Sequence, residues 1–549
     1  MRYVALAHNE WDADTGRSKA KVLYNFGRED RLDRDALTRL VASVNRYLGV
    51  DEAPAEESTQ ADTTAAAGTA EALPFIAARR LGGVWALGGL WDQLGIRATL
   101  TQLAAGRRFT TDVERVVFAL VANRALEPTS KLAATQWVAE RAWIPGLEQM
   151  SDDAYYRAMD WLLDVAEQLA EQTYWATADL LNLEVDLLFF DTTSTYFETD
   201  VADGGGDEAA VGFRSYGKSK DHRADLPQII VGMAVTRSGI PIRVWTWPGN
   251  AGDSPLIRQV KDDLRAWKLG RVVWVTDRGF ASAENRRYLQ RAGGHYICGE
   301  KLRGDSDEAA AALARQGRYR TVAGNLRVKE VVVDDGVMRD RFVVCHNPDA
   351  ADRDATVRDQ LVARLTEQIA DTDRLDPQER AAVAARLPAG LRRFLRTTPG
   401  GKLRVDRAAV AAEAKLDGKF LLRTSDPTLS AEDVALGYKQ LLEVERGWRD
   451  MKTTLQLRPV FHRLEDRIRA HVILCWLALL LIRVAETKTD QTWRTLRHEL
   501  DRLHVGEFNG TAGRVQQRTE ITARQHAILA QLGVDTPPRF LDLDPASDG

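Results

Sequence analysis

A chain of 549 residues, 44% hydrophobic and 28% charged, is long enough for several domains with packed cores. Its formal net charge of −4 does not mark a nucleic-acid binder, so phosphate contacts would have to come from local basic strips. The three cysteines, Cys298, Cys345 and Cys475, stand far apart with no CxxC. That argues against a disulfide framework or a zinc cluster and fits a reducing cytosol.

The opening MRYVALAHNEWDAD has no apolar core of signal-peptide length. Residues 2–27 alternate apolar and polar around Asp14-Thr15-Gly16, which predicts a hairpin, and a short helix is expected at about 33–48. Together they form an N-terminal element over 1–50. Residues 51–72 are Ala/Thr/Glu-rich and too poor in large apolar side chains to pack, so they read as a disordered linker.

From 73 to 183 the apolar spacing is helical, as in DVERVVFALVANRAL and YRAMDWLLDVAEQLAEQ. The period changes at LLFFDTTS (Leu187–Ser194), a strand that runs straight into an aspartate. QIIVGMAVTRSGIPIRVWTW predicts two strands joined at Ser238-Gly239. A helix follows, opened by Ser254-Pro255 and stopped by Gly270. RVVWVTDRGF is a second apolar strand ending on an aspartate, Asp277. A helix capped by Ser282 and the strand HYICGEKL come next, completing the region 184–302. Residues 303–417 are read as a mostly β insertion with some charged helical runs. GKFLLRTSD is again a strand, and Ser430 with Asp433 opens one long helix by a capping box. The apolar run VILCWLALLLI (Val472–Ile482) has 11 residues against the ~20 that span a bilayer, so it predicts a buried helix and no membrane partner. Residues 418–490 are expected to complete the α/β core, with 491–549 as a C-terminal region for dimerisation or DNA contact.

Three strands in a meander, followed by strands reached through helical crossovers, predict a mixed sheet. The LLFFD and VVWVTD strands are apolar throughout, as central strands covered on both faces are. As parallel neighbours they would bring Asp191 and Asp277 to the same edge, where open α/β sheets place ligands. Two adjacent carboxylates repel, so ionising both needs a cation, and hard oxygen donors suit Mg²⁺ or Mn²⁺. A strand-end Asp can also simply cap the next turn through Thr193 or Ser194.

The helix after Ser430 offers a third carboxylate. Leu441, Val444, Trp448, Met451 and Leu455 form its apolar stripe, with Glu445 at the border. Tyr438, Glu445, Arg449 and Lys452 fall at steps that would place them along one line of a continuous helix. A solvated Glu445–Arg449 ion pair is the plainer alternative. The segment Gly212–Arg223 holds four Lys/Arg against one Asp, and its Arg214, Lys218, Lys220, His222 and Arg223 are candidate phosphate contacts.

With these residues the chain resembles the DDE-type insertion-sequence transposases, in the branch marked by a Tyr-Arg-Glu-Lys signature. Two, three and six residues separate Tyr438, Leu441, Glu445 and Lys452, reproducing that spacing, although Leu441 replaces the arginine and Arg446 or Arg449 stands near enough to substitute. FDTTS, YGKSKDHRADLPQ, PGNAGD, TDRGF and LRPVFHRLEDRIRAHVILCWLALLL are also similar to the family, over about 73–490.

The resemblance implies a ribonuclease-H-like mixed α/β sheet with helices on both faces. It adds a β-rich insertion before the glutamate helix and an α-helical DNA-end-binding domain at 73–183. It implies Asp191, Asp277 and Glu445 as catalytic ligands of two Mg²⁺ (or Mn²⁺) ions, with Tyr438, Lys452, Arg446 and Arg449 on DNA. The implied activity is cut-and-paste transposition: cleavage at terminal inverted repeats of double-stranded DNA, then joining to target DNA by a homodimer in the bacterial cytoplasm and nucleoid. Trp274, Trp448 and Tyr196 are candidates to hold a flipped base. Two alternatives remain: a metal-dependent nuclease on the same core, and an inactive or domesticated copy that only binds DNA. An aspartic protease is not one of them, because Thr193 stands in FFDTTS where that elbow needs a glycine.

Overall fold

The structure is a computed structural model that describes residues 3–12, 17–28, 38–39, 41–42, 74–183, 186–199, 201–203, 212–304, 306–334, 339–510 and 513–545. It divides into two compact units, Met1–Leu183 with Arg449–Gly549, and Glu184–Trp448.

In the first unit, β1 (Tyr3–Asp12) and β2 (Arg17–Arg28) pair antiparallel, as the alternation predicts. The turn expected at Asp14-Thr15-Gly16, most of the helix expected at 33–48 and the whole linker 51–72 lie outside the described residues. After β3 (Phe75–Arg80) come α1 (Gly82–Gln93), α2 (Ile96–Ala104), α3 (Val113–Leu126), α4 (Lys131–Gln136) and α5 (Asp152–Leu180). Asp112, Ser130 and Ser151 cap α3, α4 and α5 by accepting backbone N–H bonds.

The second unit is built on one nine-stranded sheet. Its strands are β4 (Leu187–Tyr196), β5 (Gln228–Thr236) and β6 (Pro241–Pro248), then β7 (Val273–Thr276) after α6 (Asp253–Arg265), and β8 (His295–Glu300) after α7 (Ala283–Gln290). Past α8 (Asp307–Ala314) follow β9 (Arg320–Ala323), β10 (Leu326–Asp334) and β11 (Arg339–His346). A helical lobe with α9 (Pro348–Ile369), α10 (Pro377–Arg386), a small β12–β13 ribbon (Leu395–Thr397, Leu403–Val405) and α11 (Arg407–Ala414) then leads back to β14 (Lys419–Thr424). Spatial order is β6-β5-β4-β7-β8-β14-β11-β10-β9. β4, β5 and β6 form the predicted meander, turning at Gly239 with φ 77°, and β4-β7-β8 run parallel.

The unit closes with α12 (Ala431–Lys439), and α13 (Leu442–Thr453) runs across its boundary. Both faces of the sheet are covered. Ala309 and Ala312 of α8 pack on Phe342, Val344 and Leu421, whereas Tyr438 of α12 stacks on Phe420, which alternation puts on the opposite face from Leu421.

Two expectations change here. The segment 303–417 is not mostly β, since helical residues outnumber strand residues among those described. Its β9–β11 extend the central sheet, while the Ala-, Arg- and Glu-rich stretch beyond Pro348 consists of strong helix formers and packs its own small core around Leu365, Leu391 and Phe394. Nor does Ser430 open one long helix. The capping box with Asp433 is present, but α12 stops at Lys439, and tight i→i−3 bonds at Gln440, Leu441, Glu443 and Val444 separate it from α13.

The rest of the chain belongs to the first unit: α14 (Glu465–Thr489), α15 (Trp493–Leu500), β15 (His504–Gly510), β16 (Gly513–Arg518), α16 (Ala523–Leu532) and β17 (Phe540–Pro545). Residues 449–490, expected with the α/β core, therefore fold with the N-terminal helices. α14 is long and apolar enough to cross a membrane, but most of that length is buried, largely against α3 and α5. β17, β16 and β15 make a four-stranded antiparallel sheet with β3.

Within the second unit Phe190, fully buried, meets Trp245 and Phe280 edge to face, which ties the residue before Asp191 to the turn after Asp277. Phe190→Ala is expected to cost about 3–5 kcal/mol, read as a lower denaturation midpoint in urea.

Candidate active site

Asp191 lies inside β4, not at its end. β4 pairs with β5 along its whole length, from Leu188↔Thr236 to Tyr196↔Gln228, but its ladder with β7 stops at Phe190↔Thr276. Asp191 is the next residue on one strand and Asp277, still extended with φ −68° and ψ 164°, the next on the other. Continuing the register puts the two side by side, at the ~4.8 Å spacing of neighbouring strands. β7 is four residues of Val, Trp and Thr, all buried, so a slip in its pairing would undo close packing on both faces. The predicted convergence of Asp191 and Asp277 is present.

Each aspartate has its own partners. Asp277 accepts the Arg278 backbone N–H at 2.6 Å, and the Tyr438 hydroxyl stands 3.5 Å from its Oδ1. Tyr438 reaches that point over Gly299, where a Cβ would come within 2.4 Å of the hydroxyl oxygen. Burial and the nearby Asp277 push the Tyr438 pKa up, so it remains a hydrogen-bond donor. Asp191 faces the Lys220 ammonium at 4.0 Å. Burial pushes its carboxyl up to about 6, Lys220 opposes the shift, and Asp277 and Asp253 add to it.

Asp253 was not singled out from the sequence, although it closes the PGNAGD stretch. It is the first residue of α6, where a carboxylate suits the helix N-terminus, and it accepts the Thr192 hydroxyl at 2.7 Å and pairs with Lys220 at 3.2 Å. A second missed carboxylate, Glu300 at the end of β8, is almost buried between Arg286 and Arg423, at 3.4 and 3.5 Å. Its two guanidinium partners mark it as internally neutralised.

The remaining candidates scatter. Glu445 is exposed on α13 and completes no three-residue metal-holding group with the two aspartates among the described residues. Because the helix breaks at Gln440–Leu441, the straight line from Tyr438 through Glu445 to Lys452 is not formed. The apolar stripe is: Val444, Trp448, Met451 and Leu455 are buried. Arg446 and Arg449 are exposed, Arg446 standing 3.8 Å from Glu443, and Lys452 is half-buried.

In the basic loop, Lys218 and His222 are exposed. Arg214 pairs with Asp203 and lies over the Phe197 ring, and Arg223 pairs with Asp225 and lies over Tyr196. Lys220, expected on phosphate, instead points into the aspartate site. Trp274 and Trp448 are buried, and Tyr196 is covered by Arg223.

Adjacent Asp191 and Asp277 form a hard-oxygen donor set that fits Mg²⁺ or Mn²⁺. Among the described residues, however, no three His, Cys, Asp or Glu side chains are arranged to hold a metal.

A family model described as "Transposase DDE domain" matches residues 192–481. Among solved structures, the cryo-EM piggyBac transposase synaptic complex with hairpin DNA is similar at 11% identity and a TM-score of 0.34. That similarity covers 76% of this chain and 78% of that one. No curated protein matches.

Asp191 makes the site sensitive to pH in a definite direction. Its folded pKa, about 6, lies above the ordinary 3.8, so the metal-free fold binds the extra proton. The stability this group contributes is fully present below about pH 4 and lost as pH rises through 6. Mn²⁺ titrations of the full-length protein should show affinity falling as pH drops from 7 to 5. The metal-free Asp191→Asn protein should melt no lower than wild type at pH 7.

Proposed function

We propose, from the premise that this chain belongs to the transposases with a DDE domain, that it cuts double-stranded DNA at the ends of an insertion sequence and joins those ends to a target. The observation that carries this reading is the register of Asp191 and Asp277, one step past the β4–β7 ladder. A three-stranded meander followed by two parallel strands, helix-covered on both faces, is the arrangement of a ribonuclease-H-like core and supports it further.

In this reading Asp191 and Asp277 hold a divalent cation, Mg²⁺ or Mn²⁺, which when bound supplies charge neutralisation at the scissile phosphate. The chain's own work is positioning. Tyr438 orients Asp277, and the Thr192–Asp253 pair fixes the other side of the mouth. Glu445 joins the two aspartates in the DNA-bound state, and Lys218 and His222 meet backbone phosphates. Two ends must be held together, so a homodimer on DNA is part of the proposal.

The position of Glu445 favours a second reading, a copy that binds element ends without cutting them. One assay separates the two. The full chain is incubated with DNA carrying the inverted repeats that flank its gene, in Mg²⁺. Nicking and strand transfer by wild type are expected, with Asp191→Asn, Asp277→Asn and Glu445→Gln each slower by about 10³-fold or more at unchanged end binding. Normal binding with no nicking by wild type selects the second reading. Lys218→Ala is expected to shallow the dependence of log K on log[salt] by about 1, and an unchanged slope removes Lys218 from the DNA contacts.

A further inference from the structure

We infer that Lys220 is a built-in counter-cation of the aspartate site, seated by Thr192 and Asp253, which a divalent cation displaces on binding. The inference rests on the reading above only in taking Asp191 and Asp277 as that cation's carboxylates.

The seat is specific. The Lys220 ammonium donates to the Thr192 carbonyl at 2.7 Å and to the Thr192 hydroxyl oxygen at 2.6 Å, and it pairs with Asp253 at 3.2 Å. An ammonium has three donors, so these partners satisfy all of them, and Asp191 at 4.0 Å receives its charge without a hydrogen bond. Thr192 is 1% exposed and donates its own hydroxyl hydrogen bond to Asp253, so it and Asp253 hold each other as well as the lysine.

Both ends of the arrangement are anchored. The Lys220 backbone N–H donates to the Ser194 hydroxyl at 2.9 Å, which pins the loop to β4 itself. Asn285, fully buried, donates to the Ser254 carbonyl at 2.6 Å and fixes the start of α6 beside Asp253.

Such a seat has a purpose in a protein waiting for its cation. Asp191, Asp277 and Asp253 would otherwise crowd like charges around one opening. A fixed ammonium compensates them, and it must give way when a divalent ion takes the same carboxylates. Because the loop stays tied at Ser194, the released ammonium remains at the edge where a phosphodiester oxygen would arrive.

Isothermal titration of Mn²⁺ into metal-free, full-length protein tests this. Lys220→Met is expected to bind Mn²⁺ about tenfold tighter than wild type, since no resident charge has to leave. Lys220→Arg keeps the charge and is expected to bind as wild type does. Equal or weaker binding by Lys220→Met overturns the inference, as does equal tightening in both variants. Should Lys220→Met be unfolded without metal, circular dichroism decides: refolding on added Mn²⁺ supports the inference and persistent unfolding overturns it. These readouts need no DNA. A wild type that never cuts end DNA would sink the transposition reading while the affinity order stands, and a wrong affinity order would sink the inference while cutting stands.

Discussion

Two like charges are held side by side by a ladder that neither can leave. β4 and β7 are apolar and buried, their pairing ends at Phe190↔Thr276, and the chain places an aspartate next on each. Specific packing fixes the register, because a one-residue slip would turn Phe190 away from Trp245 and Phe280 to the opposite face. The electrostatic consequence cannot then relax by backbone motion. It must be met by a proton, by an ammonium or by a bound cation, and Lys220 and Asp253 show the answer the fold gives by itself.

Much of this framework is legible in the sequence because its determinants are local. Apolar strands ending on aspartate announce Asp191 and Asp277, and Ser238-Gly239, Ser282 and Ser430 mark a turn and two helix starts that form as expected. A meander followed by crossover strands implies parallel neighbours for a chiral and topological reason, so the juxtaposition of the two aspartates follows once strand order is right.

What could not be read depends on partners distant in the chain. Lys220 belongs to a basic stretch whose composition suggests solvent and phosphate, and only the tertiary fold brings it back to Thr192 and Asp253. Asp253 reads as an ordinary first-turn acid of α6. The allocation of 449–490 also escaped prediction, because the apolar length of α14 says only that it is buried and not against what. Its partners, α3 and α5, were themselves legible as helices, yet nothing in their pattern names α14.

The helix break at Gln440–Leu441 has the most consequence, and its sequence gives no warning. Lys439, Gln440, Leu441 and Leu442 are all good helix formers, so propensity favours continuity and packing has overridden it. α12 is drawn onto the sheet, with Gly437 letting Leu187 approach closely and Tyr438 stacked on Phe420, while α13 buries its own stripe from Val444 to Met451. Further along, Asp450 is gripped by buried Arg483, so the C-terminal half of α13 is fixed and any rearrangement must be taken up in its first turn. That first turn is where the tight i→i−3 bonds lie, and such bonds have poorer geometry than those of a regular helix. In the proposed cutting reading, bringing Glu445 to the aspartates exchanges a few weak bonds in residues 440–444 for charge pairing at a cation.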